Sequence, residues 1–180
     1  MPGFHPDQLP VLVGAPTGKA AFNVFGMTIH CLFRLPPTQS SAKLCDLDES
    51  SASTLRVLFA NTKLLIIDEI SMVSSRQVFE INQRLQQIFR SKEDFGGLSV
   101  LVAGHFRQLP PVAAKHVFQP PPFFPLADLV GNYLWGKFSI FELDQIMRQQ
   151  GEYQFCKALN NMAEGIMDSD DVALIRSRDF

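Results

Sequence analysis

Hydrophobic positions along this chain gather in short unbroken runs, and each run stops at a glycine or a carboxylate. Val11-Leu12-Val13 ends at Gly14, Leu64-Leu65-Ile66-Ile67 ends at Asp68-Glu69, and Ser99-Val100-Leu101-Val102-Ala103 ends at Gly104. Continuous aliphatic runs of this length are the pattern of strands buried on both faces, as in a parallel sheet. Between the runs the spacing becomes helical. Residues 19–24 and 55–60 suit short helices, while Val78, Ile81, Leu85 and Ile88 predict a helix from Ser74 or Ser75 to about Arg90, with a serine as N-cap. The stretch 36–53, rich in Ser and Asp, reads as a surface loop, and Gly96-Gly97 breaks the chain before the third run. After the proline-rich segment 109–125 come a short helix and a strand over 138–141. An amphipathic helix over 152–163, with Phe155, Leu159 and Met162 on one face, completes the pattern. Strand–helix alternation of this kind predicts an α/β fold, a parallel sheet with helices on both faces. No internal repeat is visible.

Composition narrows the class only slightly. A chain of 180 residues, 46% hydrophobic and 19% charged, has the size and make-up of one domain, or one domain with part of another. The net charge of −2 gives no overall electrostatic footprint for nucleic acid, so any such binding must use local patches. Cys31, Cys45 and Cys156 lie far apart without paired spacing, which suits a reducing compartment. His30, Cys31 and Cys45 do not have metal-ligand spacing. No apolar run approaches membrane-spanning length, and the start lacks the pattern of a signal peptide, so no membrane role is expected.

The chemistry gathers at strand ends. Ligands of parallel sheets collect at the carboxyl ends of the strands, where one carboxylate can hold Mg²⁺ through its water shell and a second can orient an attacking water. Asp68-Glu69 therefore points to nucleotide hydrolysis. Gly14-Ala15-Pro16-Thr17-Gly18-Lys19-Ala20 imitates a phosphate-cradling loop but has three residues, not four, between its glycines. It also has Ala20 where a hydroxyl is required, and Pro16 removes a backbone donor, so a strand-to-helix turn is the expectation. The loop Gly104-His105-Phe106-Arg107-Gln108-Leu109-Pro110-Pro111-Val112 follows a buried strand and should stand beside Asp68-Glu69, where a glutamine can report on a γ-phosphate or on the attacking water.

Taken together, these segments resemble the Pif-type DNA helicases, a superfamily-one branch that includes the helicase part of Helitron transposons. The resemblance rests on Ala15-Pro16-Thr17-Gly18-Lys19-Ala20-Ala21, Thr28-Ile29-His30, Leu65-Ile66-Ile67-Asp68-Glu69-Ile70-Ser71-Met72, Phe95-Gly96-Gly97, the loop 104–112 and Ile146-Met147-Arg148-Gln149, in that order, and covers about 10–165. It implies a RecA-like P-loop NTPase fold. Residues 1–141 would form part of the first domain and 142–180 the start of the second. It further implies ATP as substrate, Mg²⁺ at Asp68, water activation by Glu69, γ-phosphate sensing by Gln108 and an arginine, Arg148, reaching back to the γ-phosphate. Thr17, Lys19, Thr28, His30, Phe106 and Pro110 fall in segments that track single-stranded DNA in the family. Phe33 and Phe106 could stack on bases or pack in the core, and the Phe-rich composition favours the core. Partners would be single-stranded DNA and duplex junctions, in DNA repair, recombination and telomere maintenance, with nuclear or mitochondrial residence.

There are departures. The family's P-loop lies about thirty residues before the Ala-Pro-Thr-Gly segment, and the 180 residues contain no such motif. Most of the second RecA-like domain is likewise expected to be missing, so the chain reads as a helicase fragment weak or inactive by itself. His105 stands where the family has aspartate, and Asp94 where proline is common. Two alternatives stay open: a decayed transposon-derived relic, and an interaction module built on Pro120-Pro121-Pro122-Phe123-Phe124-Pro125, whose polyproline character suits an aromatic groove.

Overall fold

The computed structural model describes residues 10–36, 44–121, 131–143 and 152–178. The chain divides into two compact units, Met1–Phe138 and Ser139–Phe180. In the first, the three aliphatic runs become β1 (Val11–Ala15), β3 (Leu64–Ile67) and β4 (Ser99–Val102), and a fourth short strand, β2, spans Met27–Thr28. They form a parallel sheet of order β2-β1-β3-β4, with Leu12 opposite Leu65 and Leu65 opposite Val100. β2 escaped the sequence reading because two residues carry no periodicity.

The crossovers are helical. α1 (Gly18–Asn23) links β1 to β2, and α2 (Ile29–Phe33) and α3 (Glu49–Phe59) lie between β2 and β3. β3 is followed by a 3₁₀ turn over Ile70–Met72, then α4 (Ser75–Phe89) and a second tight turn over Asp94–Gly97 before β4. α4 starts in a capping box in which the Ser74 and Gln77 side chains each accept the other's backbone N–H. Its predicted apolar positions Val78, Ile81, Leu85 and Ile88 are all buried. They pack with Leu12, Leu65 and Ile67 of the sheet, and Phe33, Phe59 and Phe89 form an aromatic row beside them, with ring centroids 5.8 and 6.1 Å apart.

Polar groups tie the layers. Buried Arg84 of α4 donates to the carbonyls of Phe33, at 3.2 Å, and Cys45, at 2.7 Å. Burial draws its guanidinium below the usual arginine range. Buried Asn82 accepts the Phe95 N–H at 2.6 Å and so holds the Phe-Gly-Gly turn against α4. A Cβ on Gly96 would come within 2.7 Å of the Leu85 carbonyl at a φ of +66°, so only glycine fits there.

Three expectations need correction. The segment 36–53 is not loop throughout: α3 begins at Glu49, capped by the Asp48 side chain on the Ser51 N–H, and its polar first turn faces solvent. Residues 138–141 form no strand. Phe138 closes a 3₁₀ turn over Trp135–Lys137 and its ring packs on Phe95 and Trp135, while Ile140 and Phe141 are exposed. Short apolar runs do not distinguish a strand from packing anchors. In the second unit, α5 (Tyr153–Glu164) buries Cys156 and Ala158, with Phe155 and Leu159 half-buried and Met162 exposed, so the apolar face is rotated from that expected. A further helix, α6 (Ser169–Arg176), begins in its own capping box and receives the Asn161 amide on Asp171.

Truncating Leu85 at the centre of this core should cost about 2–5 kcal/mol, read as a lower urea midpoint at unchanged slope. Phe22→Ala, on an exposed ring, should change stability by less than about 0.5 kcal/mol.

Candidate active site

All four strands run in one direction, so their following loops open along a single edge of the sheet. Thr17 lies just after β1, Thr28 closes β2, Asp68-Glu69 follow β3 and Gly104 follows β4. Segments far apart in sequence thus meet at one edge, the place where parallel α/β sheets bind ligands.

The acidic pair is the most firmly held part of this edge. The Asp68 N–H donates to the Gly14 carbonyl at 2.9 Å, continuing the β1–β3 ladder. On the other side the Ala103 N–H donates to the Ile67 carbonyl and the Ile70 N–H to the Ala103 carbonyl, both at 2.9 Å. Between these clamps Glu69 adopts the left-handed conformation, φ 52° and ψ 46°, and its carbonyl accepts the Met72 N–H at 3.0 Å. A non-glycine residue held there costs on the order of 1 kcal/mol, sustained only where neighbouring contacts impose it. Gly104 is one of those neighbours: a Cβ on it would meet the Ile70 nitrogen at 2.8 Å. The loop after β4 can therefore press directly against the Glu69-Ile70 peptide.

Both carboxylates are half-buried, and among the described residues neither makes an ion pair or a side-chain hydrogen bond. Two adjacent carboxylates without an ion-pair partner among the described residues suit a hard divalent cation. Mg²⁺ takes one or two such ligands and keeps its other positions for water and substrate phosphates. No cluster of three or more potential ligands occurs among the described residues, and Cys31 and Cys45 are exposed.

The loop 104–112 is shaped by His105, whose Nδ1 accepts the Arg107 N–H at 3.2 Å while its carbonyl accepts the Gln108 N–H at 2.9 Å. The imidazole supplies the local acceptor that a short carboxylate side chain provides in such turns. Gln108 and Pro110 are exposed, and Phe106 is half-exposed, its ring edge-on to Phe118 and Trp135 at 5.6 and 5.7 Å. Phe118, His116 and Trp135 were not singled out in the sequence. The visible signal was a run of aromatics and cations in a proline-stiffened segment.

On the β1 and β2 side, Thr17 caps α1 by accepting the Ala20 N–H at 3.2 Å, and Thr28 caps α2 by accepting the Cys31 N–H at 3.3 Å. Segment 14–20 is thus a strand-to-helix turn, as expected. Lys19 is exposed on the first turn of α1. His30 is half-buried, with Nε2 3.4 Å from the Gln77 side-chain nitrogen, so the capping box of α4 also steadies this imidazole. Phe33 is fully buried and belongs to the core, not to a base-stacking surface. Arg148 lies outside the described residues, as does most of Pro120–Pro125, of which only Pro120 and Pro121 are described.

Comparison with known proteins agrees with the fold. The PIF1-like helicase family model matches residues 4–172. The ATP-dependent DNA helicase PIF1 of Candida albicans is 30% identical over 97% of this chain and 19% of its own length. The ATP-dependent DNA helicase Pif1 of a Psychrobacter species is 36% identical over 60% of this chain and 16% of its own length. A crystal structure of Pif1 helicase from Bacteroides in complex with ADP-AlF₃ and ssDNA superposes with a TM-score of 0.70 at 35% identity, covering 91% of this chain and 38% of that one. The chain therefore spans less than a quarter of these two curated relatives. With a parallel α/β sheet and a family match over nearly all of its length, this chain belongs to the PIF1-like helicase family.

Proposed function

We propose that these residues form part of the motor of an ATP-dependent DNA helicase, in which ATP hydrolysis drives movement along single-stranded DNA and separation of the duplex ahead. The observation that carries this reading is the uncommitted Asp68-Glu69 pair, clamped from both neighbouring strands at the carboxyl edge. In this reading Asp68 would hold Mg²⁺, which would supply positive charge against the phosphates of ATP. Glu69 accepts a proton from water as that water attacks the γ-phosphorus and the bond to the β-phosphate oxygen breaks. Gln108 senses the γ-phosphate, and Arg148 stabilises the charge that develops on it. Thr17, Lys19, Thr28, His30, Phe106 and Pro110 line the DNA path, and the backbone and side-chain donors of Thr17, Lys19, Thr28 and His30 suit phosphates. Residues 1–141 belong to the first RecA-like domain and 142–180 to the second, in a protein acting on nuclear or mitochondrial DNA.

The sheet itself supports a larger assembly. Its α4-facing side is closed, but on the opposite face Val11, Val13, Leu64 and Ile66 are only half-buried and Leu101 is 49% exposed. The outer edge of β4 pairs with no strand among the described residues. Parallel sheets bury both faces, so a further strand and helix beside β4 would complete this one, and the loop after that strand would flank Gly104 on the same edge as Asp68.

Residues 1–180 alone should show no ATP turnover beyond that of their Glu69→Gln variant. Turnover that rises with single-stranded DNA and vanishes in Glu69→Gln would overturn this expectation. In a longer chain carrying a phosphate-binding loop, Glu69→Gln should lower kcat by about 10²–10⁴-fold with little change in nucleotide affinity. An unchanged kcat would remove Glu69 as the base. Gly104→Ala in that chain should also lower kcat, because the added methyl displaces the Glu69-Ile70 peptide.

A further inference from the structure

Residues 103–121 contain no aspartate or glutamate, yet carry Arg107, Lys115, His105 and His116 in a chain whose net charge is −2. Aromatic rings stand in the same segment. Phe118 is 47% and Phe106 46% exposed, and the His116 imidazole lies flat on the Phe118 ring, centroids 5.1 Å apart with 9° between the planes. Leu109 and Val112 extend the exposed apolar surface.

This surface is firmly backed. Ser74 and His116 form a β-bridge, and the Ser75 N–H donates to the Lys115 carbonyl at 3.1 Å, so the segment is tied to the start of α4. Val117 is fully buried and its carbonyl accepts the Asn132 amide. Trp135 supports Phe106 from behind and passes contact on to Phe138 and Phe95. Rings fixed in this way lose little freedom on binding.

We propose that Phe106, Phe118 and His116 form a stacking platform for the bases of single-stranded nucleic acid, with Lys115 placed for its phosphates. Half-exposed aromatic rings, a local excess of cations and the absence of nearby acidic sequence match the combination that binds single strands: stacking for the bases, charge for the backbone. The platform rests on the reading of the chain as part of a DNA motor, and it extends the DNA path beyond the loop 104–112 to residues next to α4. It would carry a base stacked outside the nucleotide edge, so movement of the Gln108 loop would be felt through Phe106.

Fluorescence anisotropy of a labelled oligothymidylate with the 180-residue chain tests this. Phe118→Leu, which keeps apolar bulk but removes the ring, should weaken binding about tenfold, and Phe118→Trp should retain it. Lys115→Gln should lower the slope of log affinity against log salt by about one. An oligonucleotide of abasic sites should bind the parent chain about tenfold more weakly than oligothymidylate does, a comparison that does not depend on the variant's folding. If the parent binds but Phe118→Leu and the abasic strand bind equally well, the platform is wrong while the DNA-motor reading stands. If the parent chain does not bind single strands at all, that reading fails and the platform with it.

Discussion

Parallel pairing of β3 between β1 and β4 is the constraint on which the rest of the site depends. The ladder does not stop where the strand ends: Gly14 holds Asp68 from one side, and the Ile67–Ala103–Ile70 exchange holds Glu69 from the other. Two carboxylates at the end of a single strand would be mobile and well solvated. Flanked on both sides by backbone, they are presented as a fixed pair, and one is held in a conformation it would not choose alone. Gly104 allows the two loops to touch, which couples the acidic pair mechanically to the segment carrying Gln108.

Behind this edge stands α4. Its apolar stripe closes one face of the sheet, and its N-terminal capping box serves three neighbours: its own first turn, the His30 imidazole through Gln77, and the 115–116 backbone through Ser74 and Ser75. A single helix terminus thereby positions parts of both the proposed DNA path and the aromatic platform. Buried Arg84 and Asn82 extend the same helix's reach to α2 and to the Phe-Gly-Gly turn. The interior is specified by a few well-satisfied polar contacts set among apolar packing, the arrangement that favours one register over its rivals.

The sequence was legible where periodicity and burial coincide. β1, β3, β4 and α4 were readable because unbroken aliphatic runs and a 3.6-residue stripe have few other interpretations. It was misleading where polar or short segments are fixed by contacts from elsewhere. The first turn of α3 is polar because it faces water, so it resembled a loop. Phe138 looked like part of a strand, whereas its ring serves as an anchor for Phe95 and Trp135. Phe33 and Phe106 are the same residue type in similar sequence surroundings, yet one is fully buried and the other nearly half-exposed.

By itself, the sequence determined the residue chemistry and the order of the motifs: an acidic pair after a buried strand, a glutamine loop after the next, a serine that can cap the long helix, and a family resemblance across most of the chain. Those depend on local composition and spacing, which a linear reading captures. Only the tertiary structure decided that these segments share one edge, that Glu69 is clamped between two strands, that the outer edge of β4 pairs with no strand among the described residues, and that His116 and Phe118 stack beside Phe106. Each of these follows from hydrogen bonds and ring contacts between residues distant along the chain, and no local pattern encodes which distant surface a side chain will meet.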